Sequence, residues 1–264
     1  MKFYFSGIAS REESSMLQEA GVKRLLVDAV DLKNIDWEAQ PDVILDSGAY
    51  RLFKEDRSIL DVPSSRSSLT IESYLATAIV HPFSFVVAPD VIGDMETTLM
   101  LWEQVKNTGI PFVPVWQWGA DEKILYQLLD EAPIVGMGGC VPWMRVDNSR
   151  KRSKAEIQSD SERREVNFEK LKLICQQHGD RLHVFGLCWV KAIKELANCL
   201  YSADSSHWLV GARKGAVIFQ NTRTGHLSQA PAGVLPFAKG WDRRQHCVAN
   251  ARAIAQFLGE SFQN

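Results

Sequence analysis

Eight short apolar runs, separated by amphipathic stretches, constrain the fold of this sequence more than any other feature. They are KFYFSG (2–7), KRLLVDA (23–29), VILDSG (43–48), FSFVVAPD (83–90), FVPVWQW (112–118), IVGMGG (134–139), LHVFGL (182–187) and LYSADSS (200–206). Unbroken apolar runs of this length suit strands buried on both faces, as in a parallel sheet. Between them lie IESYLATAIVH, METTLMLWEQVKNTG, DEKILYQLLDEA, REVNFEKLKLICQQHG and VKAIKELANC, with apolar residues at three- and four-residue intervals and glycine often at the far end. Strand and helix in alternation predict an α/β fold with crossover helices. Eight such units in about 210 residues predict a compact (β/α)8 TIM-type barrel, with a doubly wound open sheet as the alternative. Beyond the eighth run, VGARKGAVIFQNTRTGHLSQ reads as a loop and a β-hairpin turning at Thr224 and Gly225, and RRQHCVANARAIAQFLGESF reads as a closing helix. No internal repeat, linker or boundary divides the chain, so residues 1–264 are expected to form one domain.

The formal charge of −2 does not advertise a polyanionic partner, so any nucleic-acid binding must come from a local basic surface. The N-terminus, MKFYFSGIASREESS, has too short an apolar stretch for a signal peptide, and no segment approaches the roughly 20 apolar residues of a membrane span. A cytoplasmic protein with no membrane partner is expected. Five cysteines at 140, 175, 188, 199 and 247 are odd in number and form no CxxC pair, which argues against a disulfide framework and a zinc site and for reduced, mostly buried thiols. One basic stretch stands out. Within MRVDNSRKRSKAEIQSDSERRE (144–165), Arg145, Arg150, Lys151, Arg152 and Lys154 cluster just after the sixth run, where a loop on the functional rim of a barrel could bind phosphates, although charge runs are usually only solvated surface.

Strand C-terminal ends converge on one mouth in such a barrel. They carry Asp46, Asp90, Gln117, the pair Gly138 and Gly139, and Asp204, with Asp94 slightly farther out. A single strand-end aspartate is most often a helix N-cap or a loop hydrogen-bonder. Three of them with a glutamine suit metal binding, glycosidic cleavage or recognition of a donor-rich ring. Asp46, Asp90 and Asp94 could hold magnesium, but no phosphate-cradling glycine loop accompanies them, so neither a metal nor another cofactor is expected. Glycosidic cleavage passes through an oxocarbenium-like state that one carboxylate stabilises or captures, while a second handles the proton of the leaving or arriving group.

With these residues in place, the chain resembles the tRNA-guanine transglycosylase superfamily, and within it the smaller branch that inserts 7-deazapurines into DNA. The resemblance spans roughly residues 43–208. Asp46-Ser47-Gly48-Ala49-Tyr50 is similar to the family's Asp-Ser-Gly-Gly-Phe signature, whose aspartate is the general acid/base, which also brings Tyr50 to the base. Asp90 stands where the family's aspartate accepts hydrogen bonds from the guanine-type edge, and Gln117 with Gly119 resembles a Gln-Gly element that contacts the base. Gly138 and Gly139 correspond to a glycine turn whose backbone approaches the base, and Phe185-Gly186 takes the place of a Met-Gly pair that covers its face. Asp204 matches the aspartate that attacks the anomeric carbon to form a covalent enzyme-nucleic acid intermediate. The tRNA-acting bacterial members carry a Cys-rich zinc element after the nucleophile strand, whereas residues 205–264 hold only Cys247, which weakens the case for tRNA.

The resemblance implies an enzyme that exchanges a base in DNA for a free 7-deazapurine. A hydrolytic DNA glycosylase that excises a modified base, in repair or in defence against phage, is the alternative, because Asp46 could activate a water as readily as a base. A barrel that only binds nucleic acid is the second alternative, disfavoured because negative charge at the mouth repels phosphate. Either chemistry requires the target nucleotide to leave its stack. Tyr50, Trp116, Trp118, Trp143, Trp189 and Trp208 lie near predicted strand ends, where aromatic rings could stack on a base or simply pack.

Overall fold

A computed structural model describes residues 1–39, 41–54, 70–144 and 153–259. The chain divides into two compact units, Tyr4–Gly139 and the combination of Met1–Phe3 with Cys140–Asn264. Both are α/β. No described helix is long and apolar enough to cross a membrane.

In Tyr4–Gly139, Phe5 at the end of β1 (Lys2–Phe5) pairs with Leu25 of β2 (Arg24–Asp28), and β2 runs beside β3 (Asp42–Asp46) from Arg24↔Asp42 to Asp28↔Asp46. Next come β4 (Phe85–Val87) and β5 (Phe112–Val113), and β6 (Val115–Gln117) pairs with β7 (Val135–Gly138). Every pairing is parallel. The fifth apolar run, read above as one strand, is thus two short strands around Pro114. Proline has no N–H to give the ladder, yet its carbonyl accepts from Gly136 N–H at 2.8 Å while Val113 O accepts from Ala88 N–H at 2.8 Å. β5 and β6 therefore act as one strand that faces β4 before the proline and β7 after it. The order rises from β1 to β7 without reversal, whereas a doubly wound sheet must reverse at a switch point.

Val43, Ile44 and Leu45 are fully buried, as a strand covered on both faces requires, and each contributes about 1.5–3 kcal/mol by leaving water. The helices of this unit start on side-chain caps. Ser10 caps α1 (Arg11–Glu19), Thr70 forms a capping box with Ser73 on α3 (Ile71–Ala78), and Asp94 and Asp121 cap α4 (Met95–Val105) and α5 (Glu122–Glu131). A short α2 (Ala49–Lys54) follows β3 directly.

In the other unit, β8 (Leu182–Val184) pairs in parallel with β9 (Ser202–Ser205), with His183↔Ser202 and Val184↔Ala203 in register. After α6 (Val141–Met144) comes α7, which runs from Lys154 to His178 and corrects the reading of 144–165 as a loop throughout: a capping box between Ser153 and Glu156 starts the helix inside that stretch. Only its later half buries a stripe, Phe168, Leu171, Ile174 and Cys175. The chain continues through α8 (Val190–Leu196) and α9 (His207–Arg213) to an antiparallel hairpin, β10 (Ala216–Gln220) and β11 (Leu227–Pro231), and ends its described part with α10 (Arg243–Phe257). Asn250 of α10, wholly buried, accepts from Ile218 N–H at 2.7 Å and donates to the carbonyls of Trp208 and Ala216 at 3.1 and 3.2 Å. All five cysteines are free thiols, with Cys140, Cys175 and Cys247 buried, and Cys199 Sγ–H donates to Leu196 O at 3.4 Å.

Candidate active site

Asp90 follows β4 by three residues and is 7% exposed. An isolated buried carboxylate is costly, and both of its oxygens are engaged. Ser47 Oγ–H donates to Oδ1 at 2.7 Å, and Gln117 Nε2–H donates to Oδ2 at 2.8 Å. The Ser47 oxygen in turn accepts Ala49 N–H at 3.3 Å, which leaves its single proton for Asp90. Burial pushes the Asp90 carboxyl up to about 6, against the opposing pull of the Ser47 and Gln117 hydrogen bonds. This group changes charge close to neutral pH.

Because an ionised carboxylate only accepts, the Gln117 amide turns its N–H2 toward Asp90 and its carbonyl away. That carbonyl oxygen is buried with no hydrogen-bond partner. The space for the amide comes from β7, where Gly138 is in register with Gln117 and an added Cβ would lie 2.9 Å from Oε1 and 3.0 Å from Nε2. Gly139, at φ +72°, would place a Cβ 3.4 Å from the same oxygen. The glycine pair thus makes room for a glutamine that offers an unused acceptor.

Asp46 ends β3 half-buried, in register with Asp28 at the end of β2. Asp28 accepts from Arg51 Nε–H at 2.8 Å and from Val30 N–H at 3.1 Å. The phenol of buried Tyr74 donates to Val87 O at 2.7 Å and lies 3.3 Å from Leu45 O. It is held well above its ordinary pKa first by burial and then by the charges of Asp46, Asp90 and Asp28. The ends of β2 and β3 and the loop after β4 therefore carry carboxylates that act on one hydroxyl.

In the second unit Asp204, on β9 and 4% exposed, is held differently. Its Oδ1 accepts Gly186 N–H at 2.9 Å, and among the described residues Oδ2 has no hydrogen-bond partner. Gly186 sits at φ +67°, and a Cβ there would lie 2.3 Å from Val141 Cγ2, so both conformation and space demand glycine. Wholly buried His183 brings Nε2 to 3.6 Å from Asp204 Oδ1, too long for a hydrogen bond. Its Nδ1 is 2.8 Å from Ser202 Oγ. The direction of that hydrogen bond follows the tautomer of the ring. Serine, histidine and aspartate occur in the order of a hydrolase triad, but the Ser202 hydroxyl, wholly buried, is engaged with the ring in the core of the strand pair. Half-buried Phe185 packs edge-on against His183, with centroids 4.5 Å apart.

Of the anticipated residues, Asp90, Gln117, Gly138 and Gly139 form one contiguous arrangement, and Phe185 and Asp204 belong to another linked through His183. Tyr50 is half-buried on α2. Asp94 is an exposed helix cap whose two oxygens accept from Thr97 N–H at 3.0 Å and Thr97 Oγ1–H at 2.6 Å. Trp116, Trp143 and Trp208 are buried packing residues, while Trp118 and Trp189 are partly exposed. Arg145, Arg150, Lys151 and Arg152 lie outside the described residues. Ser47, Tyr74, His183 and Ser202 were not anticipated. Ser47 stood inside the quoted DSGAY motif, and His183 was the one polar residue in an otherwise apolar strand. Compared with known proteins, the chain matches no protein-family model and no curated protein sequence.

Proposed function

We propose that this chain is an enzyme of the N-glycosidic bond that acts on a nucleobase in DNA and exchanges it for a free 7-deazapurine-type base. The observation that carries the reading is the buried, unpartnered carbonyl of Gln117 beside a carboxyl group that titrates near neutrality. A carboxylate and an amide carbonyl set side by side are the acceptors that a ring edge with neighbouring N–H donors requires, as guanine and its 7-deaza analogues present. The finer architecture proposed is a (β/α)8 barrel. It is supported by the unreversed strand order in Tyr4–Gly139 and by the way Pro114 divides one strand position in two.

In the proposed reaction, Asp204 Oδ2 attacks the anomeric carbon, and the bond to the base nitrogen breaks with its electron pair leaving on the base. Asp46, as the acid, protonates that base. A glycosyl ester on Asp204 results. Asp46, now ionised, removes a proton from the incoming base, whose nitrogen attacks the anomeric carbon and returns Asp204 as a free carboxylate. Gly186 N–H holds Asp204 by one oxygen and leaves the other for attack, which supports the nucleophile assignment. His183 lies beside the carboxylate, with Nε2 3.6 Å from Oδ1, as a positioning group. Water in place of the incoming base gives the glycosylase, with an abasic site as product.

Incubation with DNA containing guanine or modified bases, with and without labelled 7-deazaguanine precursors, tests the proposal. Incorporation of label marks exchange, and base release with alkali-labile strands in the absence of acceptor marks hydrolysis. Neither outcome with any substrate, from protein that binds DNA, sinks the enzymatic reading.

A further inference from the structure

The C-terminal part of the chain is charged opposite to the rest. Residues 207–259 hold seven Lys and Arg against a single acid, Asp242, in a protein whose overall charge is −2. Six of these cations are exposed, among them Lys214, Arg223, Lys239 and Arg243. Two of them, Arg243 and Arg244, open α10, where the helix dipole disfavours positive charge.

The same part of the chain carries a run of aromatic rings. Phe219 of the hairpin packs edge-on against Phe237, Phe237 against Trp241, and Trp241 at a tilt against His246, with centroids 5.8 Å apart at each step. Phe237, in the middle, is 53% exposed, and Val234 beside it in sequence is 68% exposed. Cations flank the run in sequence: Arg223 at the hairpin turn four residues after Phe219, Lys239 between Phe237 and Trp241, and Arg243 two residues past Trp241. The mounting is rigid, because Asn250 ties α10 to β10 and to α9.

We infer that this face of the hairpin and the start of α10 docks single-stranded DNA, with a base face on Phe237 and phosphates on Arg223, Lys239 and Arg243. An exposed ring with cations close by in sequence is what a strand with unpaired bases requires, since stacking is indifferent to sequence and the phosphates supply the charge. An acidic protein would meet the cations but has no use for a bare phenyl face. The inference rests on the reading that DNA is the substrate and adds where the strand beside the target nucleotide is held.

The test measures fluorescence anisotropy of a labelled 20-nucleotide thymidine strand over a salt series, with the full chain, Phe237→Ala, Phe237→Trp and the double variant Arg223→Gln/Lys239→Gln. Phe237→Ala is expected to weaken binding roughly tenfold, with Phe237→Trp restoring it. The double variant is expected to lower the salt slope by about 1.4, near 0.7 per lost phosphate contact on a single strand. Melting temperatures identify any variant that fails to fold, and Phe237→Trp keeps an aromatic ring at the position for that case. Unchanged affinity and slope in all variants overturn the inference. So does binding to the matching duplex, or to phosphatidylserine/phosphatidylcholine vesicles, with the same dependence on Phe237. Weakened binding in these variants together with no base chemistry on any DNA upholds the surface and sinks the proposed function. Base exchange with unchanged KM in all variants does the reverse.

Discussion

Asp90 and Asp204 are buried aspartates that follow or end apolar strands, yet their surroundings prepare them for opposite work. Asp90 has both oxygens engaged, by Ser47 and by Gln117, and its carboxyl is pushed up to about 6. Asp204 has one oxygen held by Gly186 N–H, while among the described residues the other has no hydrogen-bond partner. A fully braced carboxylate cannot swing toward carbon and suits a fixed contact with a ring edge. One held by a single oxygen keeps a lone pair for attack. The difference teaches that position at a strand end says little about role; the number of donors around each oxygen says more.

The sharpest way to break this contrast is Asp204→Asn. The amide oxygen can still accept Gly186 N–H, so stability is expected to change by no more than about 1 kcal/mol, while base release falls by at least about 10³-fold. Trapping of a covalent DNA adduct on denaturing gels, present in the wild type and absent in the variant, checks it. If Asp90→Asn abolishes the adduct while Asp204→Asn preserves it, the two roles are reversed.

The next effect is on stability against pH. The native pKa of Asp90, about 6, lies above its ordinary 3.8, so the folded state binds that proton more tightly than the unfolded chain does. The contribution is complete below about pH 3.8 and is lost as pH rises through about 6, amounting to on the order of 3 kcal/mol. Urea unfolding between pH 4 and 7 should show the decline in the wild type and not in Asp90→Asn. Affinity for a guanine-type base should move the other way, rising through pH 6, because only the ionised form accepts.

Gln117→Met, which removes the donor to Oδ2, is expected to destabilise the fold by about 1–3 kcal/mol at neutral pH and to raise the Asp90 pKa further, as followed by carboxyl-carbon NMR. The smallest expected effect comes from the other region. His183→Gln should slow base release roughly tenfold, as for loss of a positioning group, without preventing adduct formation, as read from the denaturing gels. A loss as large as that of Asp204→Asn would instead make the imidazole a participant in the chemistry.

The strands were legible because burial on both faces writes itself as unbroken apolar runs, and each of the eight runs contains a strand. Pro114 carried the signal for the divided fifth run, since a residue without an N–H interrupts any ladder. The start of α7 is equally present as Ser153-x-x-Glu156, but the surrounding charge is as compatible with a solvated loop as with a helix face. Side-chain pairing was harder to foresee. Ser47 and Asp90 are 43 residues apart, and His183 and Ser202 are 19 apart, distances over which sequence gives no register for a hydroxyl. Asp94 and Asp90 look alike in sequence, and only the neighbouring Thr97 hints that one of them is a cap.

Asn250 has a temporal consequence. The Ile218 amide and the carbonyls of Trp208 and Ala216 all find their partner in a side chain encoded 32 or more residues later. As the chain emerges from the ribosome, the hairpin therefore has no fixed seat until α10 is out. Fragments that stop short of α10 should display a loose, protease-sensitive end, and α10 acts as the latch for elements made before it.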